Sequence, residues 1–177
     1  MKKELSTNKV DSNILADIAH SIERLKQKNY SYEKTLEIVN NLISKQFKGK
    51  KEVVFLPVSI FDNDKLTPKE IIVRYLKENL NLKYKDIAKL LKRNTIPINN
   101  CYNRAIKKYH KKIVAKESKY IIPNSVFTNE LSIFEAIVSY MKDSLKLRYH
   151  DIAILLKRND RTIWTVYHRA KKKNARQ

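Results

Sequence analysis

The stretch YHDIAILLKRNDRTIWTVYHRAKKK, residues 149–173, decides how this chain is read. Its first part spaces Ile152, Ala153, Leu155 and Leu156 as one apolar face of a short helix. The polar triplet Lys157-Arg158-Asn159 breaks that helix, and Asn159 is a good N-cap for the next one. The following segment puts Ile163, Val166, Tyr167 and Ala170 on an inner face and ends in three lysines. A helix, a three- to four-residue turn and a helix that begins with polar residues form a helix-turn-helix.

Working outward, the pattern occurs twice. Residues 66–108 align without a gap to residues 131–173 at an offset of 65, with about 23 of the 43 positions identical. The likeness extends upstream with one residue missing, LPVSIF (56–61) against IPNSVF (122–127). Each copy is too small for a large core of its own, so the two are expected to share burial by packing together. Each copy starts with a capping-box signal, Thr67 with Glu70 and Ser132 with Glu135, and Pro68 suits the first helical position. Ile72, Val73, Leu76 and Leu80, echoed by Ile137, Val138, Met141 and Leu145, make the buried stripe of the first helix. The second helix is predicted over about 84–91 and 149–156. The third follows Asn94 or Asn159, with Ile98, Cys101, Tyr102 and Ala105 inward in the first copy.

Upstream, 11–28 and 31–47 both show helical periodicity and predict an N-terminal helical hairpin. EVVFLPVSIF and KYIIPNSVF are β-rich runs broken by proline, which suits extended arms better than central strands. Residues 109–121 are expected to prolong the third helix and then run extended. The chain is thus predicted to be all-α: two tandem three-helix helix-turn-helix units with short extended arms, preceded by the hairpin. The boundaries are 1–50 for the hairpin, 53–116 for the first, divergent repeat and 117–177 for the second. One glycine and four prolines in 177 residues favour this helical reading.

Composition narrows the function. Lys and Arg number 38 against 18 Asp and Glu, a formal net charge of +20, which calls for an anionic partner. By segment the excess is about +4, +10 and +6 for 1–50, 51–116 and 117–177, so it concentrates in the duplicated part. A lone cysteine, Cys101, forms no intrachain disulfide and fits a reducing compartment. No window approaches the roughly 18 apolar residues of a membrane span, and the N-terminus lacks the apolar core of a signal peptide. Cytoplasmic, nucleoid-associated residence without a membrane partner is the expectation. His20, His110, His150 and His168 lack metal-ligand spacing, a chain with one glycine has no phosphate loop, and no nucleophile–base pair is evident. Neither a metal, a cofactor nor enzyme activity is expected.

Double-stranded DNA fits the third helices best. Base edges in the major groove are read by Arg, Asn, Gln, Thr or Ser, and phosphates are held by Lys and Arg. In the second copy Asp160, Arg161, Thr162, Trp164, Thr165, His168 and Arg169 are the base-reading candidates. Thr95, Ile96, Asn99, Asn100, Asn103 and Arg104 are weaker candidates in the first copy; its asparagines suit adenine, or are polar surface on a supporting copy. Lys92, Arg93, Lys107, Lys108, Lys157, Arg158, Lys171, Lys172 and Lys173 are candidate phosphate contacts. Trp164 either meets DNA or anchors the interface between the repeats.

Tyr149, Asp151, Ile152, Ala153, Leu155 and Leu156, then Thr162, Ile163, His168, Arg169 and Ala170, resemble the helix-turn-helix of the fourth region of bacterial sigma factors. The resemblance covers about 27 residues well and the first copy more loosely; that family commonly has glycine in the turn, where this chain has Lys92 and Lys157. It implies a sigma-like transcription regulator reading the major groove, without a counterpart of the family's second region. RNA polymerase is then a further candidate partner, with the N-terminal hairpin docking a partner or forming a homodimer. A non-specific nucleic-acid-binding or architectural protein, and a polymerase-interacting module, remain as alternatives.

Overall fold

In a computed structural model, residues 24, 27, 28, 30–46 and 53–175 are described. The described chain is mostly helical, with seven α-helices and one pair of three-residue strands. Helix α1 spans Tyr32–Gln46; the rest of the expected hairpin, 11–28, lies outside the described residues apart from 24, 27 and 28. Strand β1 (Phe55–Pro57) runs into a 3-10 turn at Val58–Phe61. Helices α2 (Pro68–Glu78), α3 (Tyr84–Leu90) and α4 (Thr95–Lys108) follow. The second copy repeats the order: β2 (Ile121–Pro123), a 3-10 turn (Asn124–Val126), α5 (Ile133–Ser139), α6 (Tyr149–Leu156) and α7 (Asp160–Asn174).

Local chemistry explains the helix starts. Glu70 N donates to Thr67 Oγ1 at 3.3 Å while Glu70 Oε2 accepts from Thr67 N at 2.8 Å. The second copy repeats this with Ser132 and Glu135, at 3.2 and 2.7 Å. Both reciprocal caps satisfy amides that the first helical turn leaves without partners. Asn159 Oδ1 accepts from Thr162 N at 2.7 Å. Asn94 caps α4 without such a bond, because the residue at the corresponding place is Pro97, which has no N–H to donate.

The turns after α3 and α6 are built alike. Lys92 and Lys157 sit at φ 49° and 52°, in the left-handed region. Arg93 N donates to Ala88 O and Arg158 N to Ala153 O, at 2.8 and 2.9 Å, which closes the helix end with a Schellman pattern. Asn81 and Lys146, at φ 51° and 55°, are also left-handed, after α2 and after the π-helical turn (Tyr140–Ser144) that ends α5, where Leu82 N donates to Leu76 O and Leu147 N to Met141 O, six residues back. Non-glycine residues pay on the order of 1 kcal/mol for each of these positions, and the two copies pay it at matching places.

One core runs through both copies. Ile71, Ile72, Val73 and Leu76 of α2, Ile87 and Leu91 around α3, and Ile98 and Ala105 of α4 are fully buried. They join Ile137, Val138, Met141, Ile152, Leu156, Ile163 and Ala170 from the second copy. Helix α2 packs on α5, and α6 packs on the Val58–Phe61 turn. Shared burial is therefore how two small units obtain an adequate core.

One expectation is completed and one needs correction. The runs around Pro57 and Pro123 are extended as expected, and they pair with each other: β1 and β2 run antiparallel, with Phe55 opposite Pro123, Leu56 opposite Ile122 and Pro57 opposite Ile121. Proline is tolerated because each lies at the end of a two-stranded ribbon. Helix α4 does not continue past Lys108. Buried Arg74 draws the chain out of helical geometry there, donating to Tyr109 O at 2.5 Å while its guanidinium grips Glu78 at 2.8 and 3.0 Å. Glu33 of α1 then accepts from Ala115 N (2.8 Å) and Asn79 Nδ2 (3.1 Å), which fixes the connection between the copies.

The pairing is symmetric about Leu56 and Ile122, which are equivalent residues. The same symmetry governs two arginines. Arg93 reaches across to donate to the carbonyls of Thr128 and Leu131, and Arg158 reaches back to the carbonyl of Leu66. Arg93 and Arg158 are equivalent, as are Leu66 and Leu131, so the contact is isologous. The copies are related by a pseudo-two-fold axis rather than stacked head to tail.

Candidate nucleic-acid interface

The third helix of each copy buries one side and shows the other. Helix α7 rests on α5 and α6, and α4 rests on α2 and α3. Ile163, Val166 and Ala170 are buried, as are Ile98, Cys101 and Ala105, while Tyr167 and Tyr102 lie half-buried at the rim. Burial pushes the Cys101 thiol up, which keeps it protonated and unreactive.

Two aromatic clusters hold these helices at a matching angle. Tyr84 meets Tyr102 and Tyr149 meets Tyr167, each pair with ring centres 5.7 Å apart. The Lys77 ammonium lies 5.1 Å over the Tyr84 ring and that of Lys142 lies 4.7 Å over Tyr149. These tyrosines are packing groups that lock the third helix onto the second.

The outer face of α7 carries Arg161, Trp164, Thr165, His168 and Arg169 at i, i+3, i+4, i+7 and i+8. Trp164 is 51% exposed, so it does not anchor the repeats. Its indole stacks on the His168 ring at 3.9 Å, and His168 Nδ1 lies 2.9 Å from the Trp164 carbonyl oxygen. The stack makes a stiff apolar plate in the middle of a polar face. Thr165 Oγ1 donates to Arg161 O at 2.8 Å, leaving its lone pairs outward. Among the described residues neither Arg161 nor Arg169 is ion-paired. Asp160 contacts His150 Nδ1 at 3.1 Å across the turn, and Thr162 is half-buried with its amide used by Asn159.

The equivalent face of α4 carries Ile96, Asn99, Asn100, Asn103 and Arg104, with Thr95 beside them, all exposed. Asn103 Nδ2 donates weakly to Asn99 Oδ1 at 3.5 Å. Asn100, Asn103 and Arg104 line an open polar cleft with Lys69 and Pro97.

The phosphate candidates divide sharply. Lys108 Nζ pairs with Glu70 Oε1 and Lys173 Nζ with Glu135 Oε2, both at 2.7 Å, and both carboxylates are buried. Burial pushes each carboxyl up, but the lysine and the capping Thr67 or Ser132 outweigh it and hold both below the usual glutamate range. Arg93 and Arg158 are spent on the carbonyls of the other copy. Lys157 reaches Asp62 at 3.4 Å and Lys171 reaches Asp143 at 3.5 Å, exposed pairs that exchange readily. Lys92, Lys107 and Lys172 are exposed and, among the described residues, without an ion-pair partner.

Four of the nine phosphate candidates thus have structural work that sequence reasoning missed. The duplication does not mark them, because Lys92 recurs as Lys157 and Lys107 as Lys172 just as Lys108 recurs as Lys173 and Arg93 as Arg158. Among the described residues no cluster of three His, Cys, Asp or Glu could hold a metal, and no helix is long and apolar enough to cross a membrane. Comparison with protein-family models, curated proteins and solved structures finds no match to this chain.

Proposed function

We propose that this chain is a sequence-specific DNA-binding protein, a sigma-like regulator whose two helix-turn-helix units present α4 and α7 to the major groove. The observation that carries the proposal is the outer face of α7. It gathers two arginines without carboxylate partners among the described residues, a threonine, and a half-exposed tryptophan stiffened by His168. Such a face adds little to folding stability, and the apolar surface of Trp164 at its centre leaves water only when a partner covers it. Arginine and threonine are the side chains that discriminate base edges.

Charge and symmetry support the same reading. The net charge of +20 supplies the attraction for a polyanion. The third helices are not buried against one another, since their outer faces are exposed. Two third helices related by a pseudo-dyad suit successive turns of a duplex, about 34 Å apart along its axis.

Selection from a random pool of duplexes, followed by sequencing, tests the proposal. An enriched motif is the expected result. Arg161→Ala or Thr165→Ala should relax preference at single positions of that motif. Lys172→Ala should instead weaken every sequence alike and reduce the salt slope by about one. No enriched motif, with equally strong and salt-steep binding to unrelated duplexes, would leave only electrostatic binding.

A further inference from the structure

Inside the two copies equivalent residues do equivalent jobs, whereas the outer faces of α4 and α7 have almost nothing in common. Arg104 and Arg169 are shared. Elsewhere Ile96 stands where α7 has Arg161, Asn99 where it has Trp164, Asn100 where it has Thr165, and Asn103 where it has His168. We propose that the chain reads a bipartite duplex site whose halves are inverted and unlike: an A·T half under α4 and a G·C-containing half under α7. This rests on the DNA reading above and adds the bases of each half and their orientation.

The chemistry of α4 selects A·T. An asparagine amide offers a donor and an acceptor that match N7 and N6 of adenine together. Asn99, Asn100 and Asn103 lie within two turns on one face, and the long 3.5 Å contact between two of them leaves their amides available. Ile96 is 75% exposed at the start of the helix, where an alkyl group gains nothing from water. A thymine methyl in the major groove is its natural contact. Helix α7 has no asparagine on its outer face; Arg161 there suits the paired acceptors O6 and N7 of guanine.

The orientation follows from the axis. Leu56 pairs with its own equivalent Ile122, and the Arg93 and Arg158 clasps are exchanged reciprocally. Two-fold-related helices meet a duplex whose strands are themselves two-fold related, so the half-sites run in opposite directions. Units stacked by translation would instead read a direct repeat.

The test uses the full chain in selection from a random duplex pool. Wild type should enrich two half-sites in inverted orientation at one fixed spacing, one of them A·T only. The triple variant Asn99→Ala, Asn100→Ala, Asn103→Ala should lose discrimination in that half by about tenfold or more and keep it in the other. A second variant grafts the face of α7 onto α4 through Ile96→Arg, Asn99→Trp, Asn100→Thr and Asn103→His, all at exposed positions. It should enrich a symmetric inverted repeat of the G·C-containing half. A graft that selects the wild-type site, or a wild-type motif of one half only, overturns base reading by α4. A direct repeat overturns the dyad docking. A wild-type pool with no motif at all overturns the parent proposal instead, so the two failures are told apart.

Discussion

The first copy and the second copy use the same interior and differ at their edges. Glu70 and Lys108 recur as Glu135 and Lys173, and Lys77, Tyr84 and Tyr102 recur as Lys142, Tyr149 and Tyr167. Even the costly left-handed residues recur, Asn81 with Lys146 and Lys92 with Lys157. Where the copies part, the reason is what each must do next. After α4 the chain has to turn back to pair β2 with β1, and buried Arg74 holds that exit through Glu78 and Tyr109 O. In the second copy the equivalent of Arg74 is Ser139, whose buried hydroxyl has, among the described residues, no hydrogen-bond partner. Among buried groups, sameness between the copies marks those that fold the chain. Difference marks groups that steer it or face outward.

The largest effect should come from that exit. Arg74→Ala strands the partly buried Glu78 carboxylate and is expected to cost about 3 kcal/mol of unfolding free energy. Ser139→Ala at the equivalent place should cost close to nothing. Denaturant melts of both decide it, and equal losses would remove the distinction between the copies.

The reciprocal clasps come next. Arg93→Ala and Arg158→Ala should each cost about 2 kcal/mol, since Arg93 loses charge-assisted bonds to two main-chain carbonyls of the other copy and Arg158 loses one. The two losses should be alike if the pseudo-dyad is the organising element. A large loss from one and none from the other would break the symmetry.

The capping carboxylates give a pH signature. Glu70 and Glu135 are held below their ordinary range in the folded chain. Their contribution is therefore complete above the unfolded-state value, about 4.3, and is lost as pH falls through the lower folded-state value. Stability measured from pH 7 down to pH 3 should drop through this window. The double variant Glu70→Gln, Glu135→Gln should show a shallower fall than wild type.

The smallest effect is a gain. Lys92→Gly should stabilise the chain by about 0.5 kcal/mol, because glycine takes φ 49° without a Cβ penalty but loses more backbone entropy. Lys157→Gly should gain less, having also lost the contact to Asp62. Thermal melts of the pair measure the difference, and a loss at both sites would show that the lysines do more than fill the turn.

Much of this was legible beforehand. Capping boxes at Thr67 and Ser132, the buried faces of all six duplicated helices and the break at Lys157-Arg158-Asn159 depend on contacts within about four residues, so they can be read along the chain. The outward placement of Arg161, Trp164 and Thr165 follows from the same periodicity once Ile163 and Val166 are known to be inside. The pairing of β1 with β2 was not legible, because two short runs broken by proline carry no record of which strand completes them. Nor was the employment of Arg93, Arg158, Lys108 and Lys173. In a chain of net charge +20, a cation bound to a carbonyl or a buried glutamate looks the same in sequence as one left for a phosphate.

By itself the sequence determined the helices, their inner faces and the fact of duplication, because each arises from local hydrogen bonding and the period of apolar residues. Only the tertiary structure decided how the two copies face one another and which basic residues remain unengaged. Both depend on closing long loops so that Leu56 meets Ile122 and Arg158 meets Leu66. That closure follows from packing one shared core, which no single segment of the chain specifies.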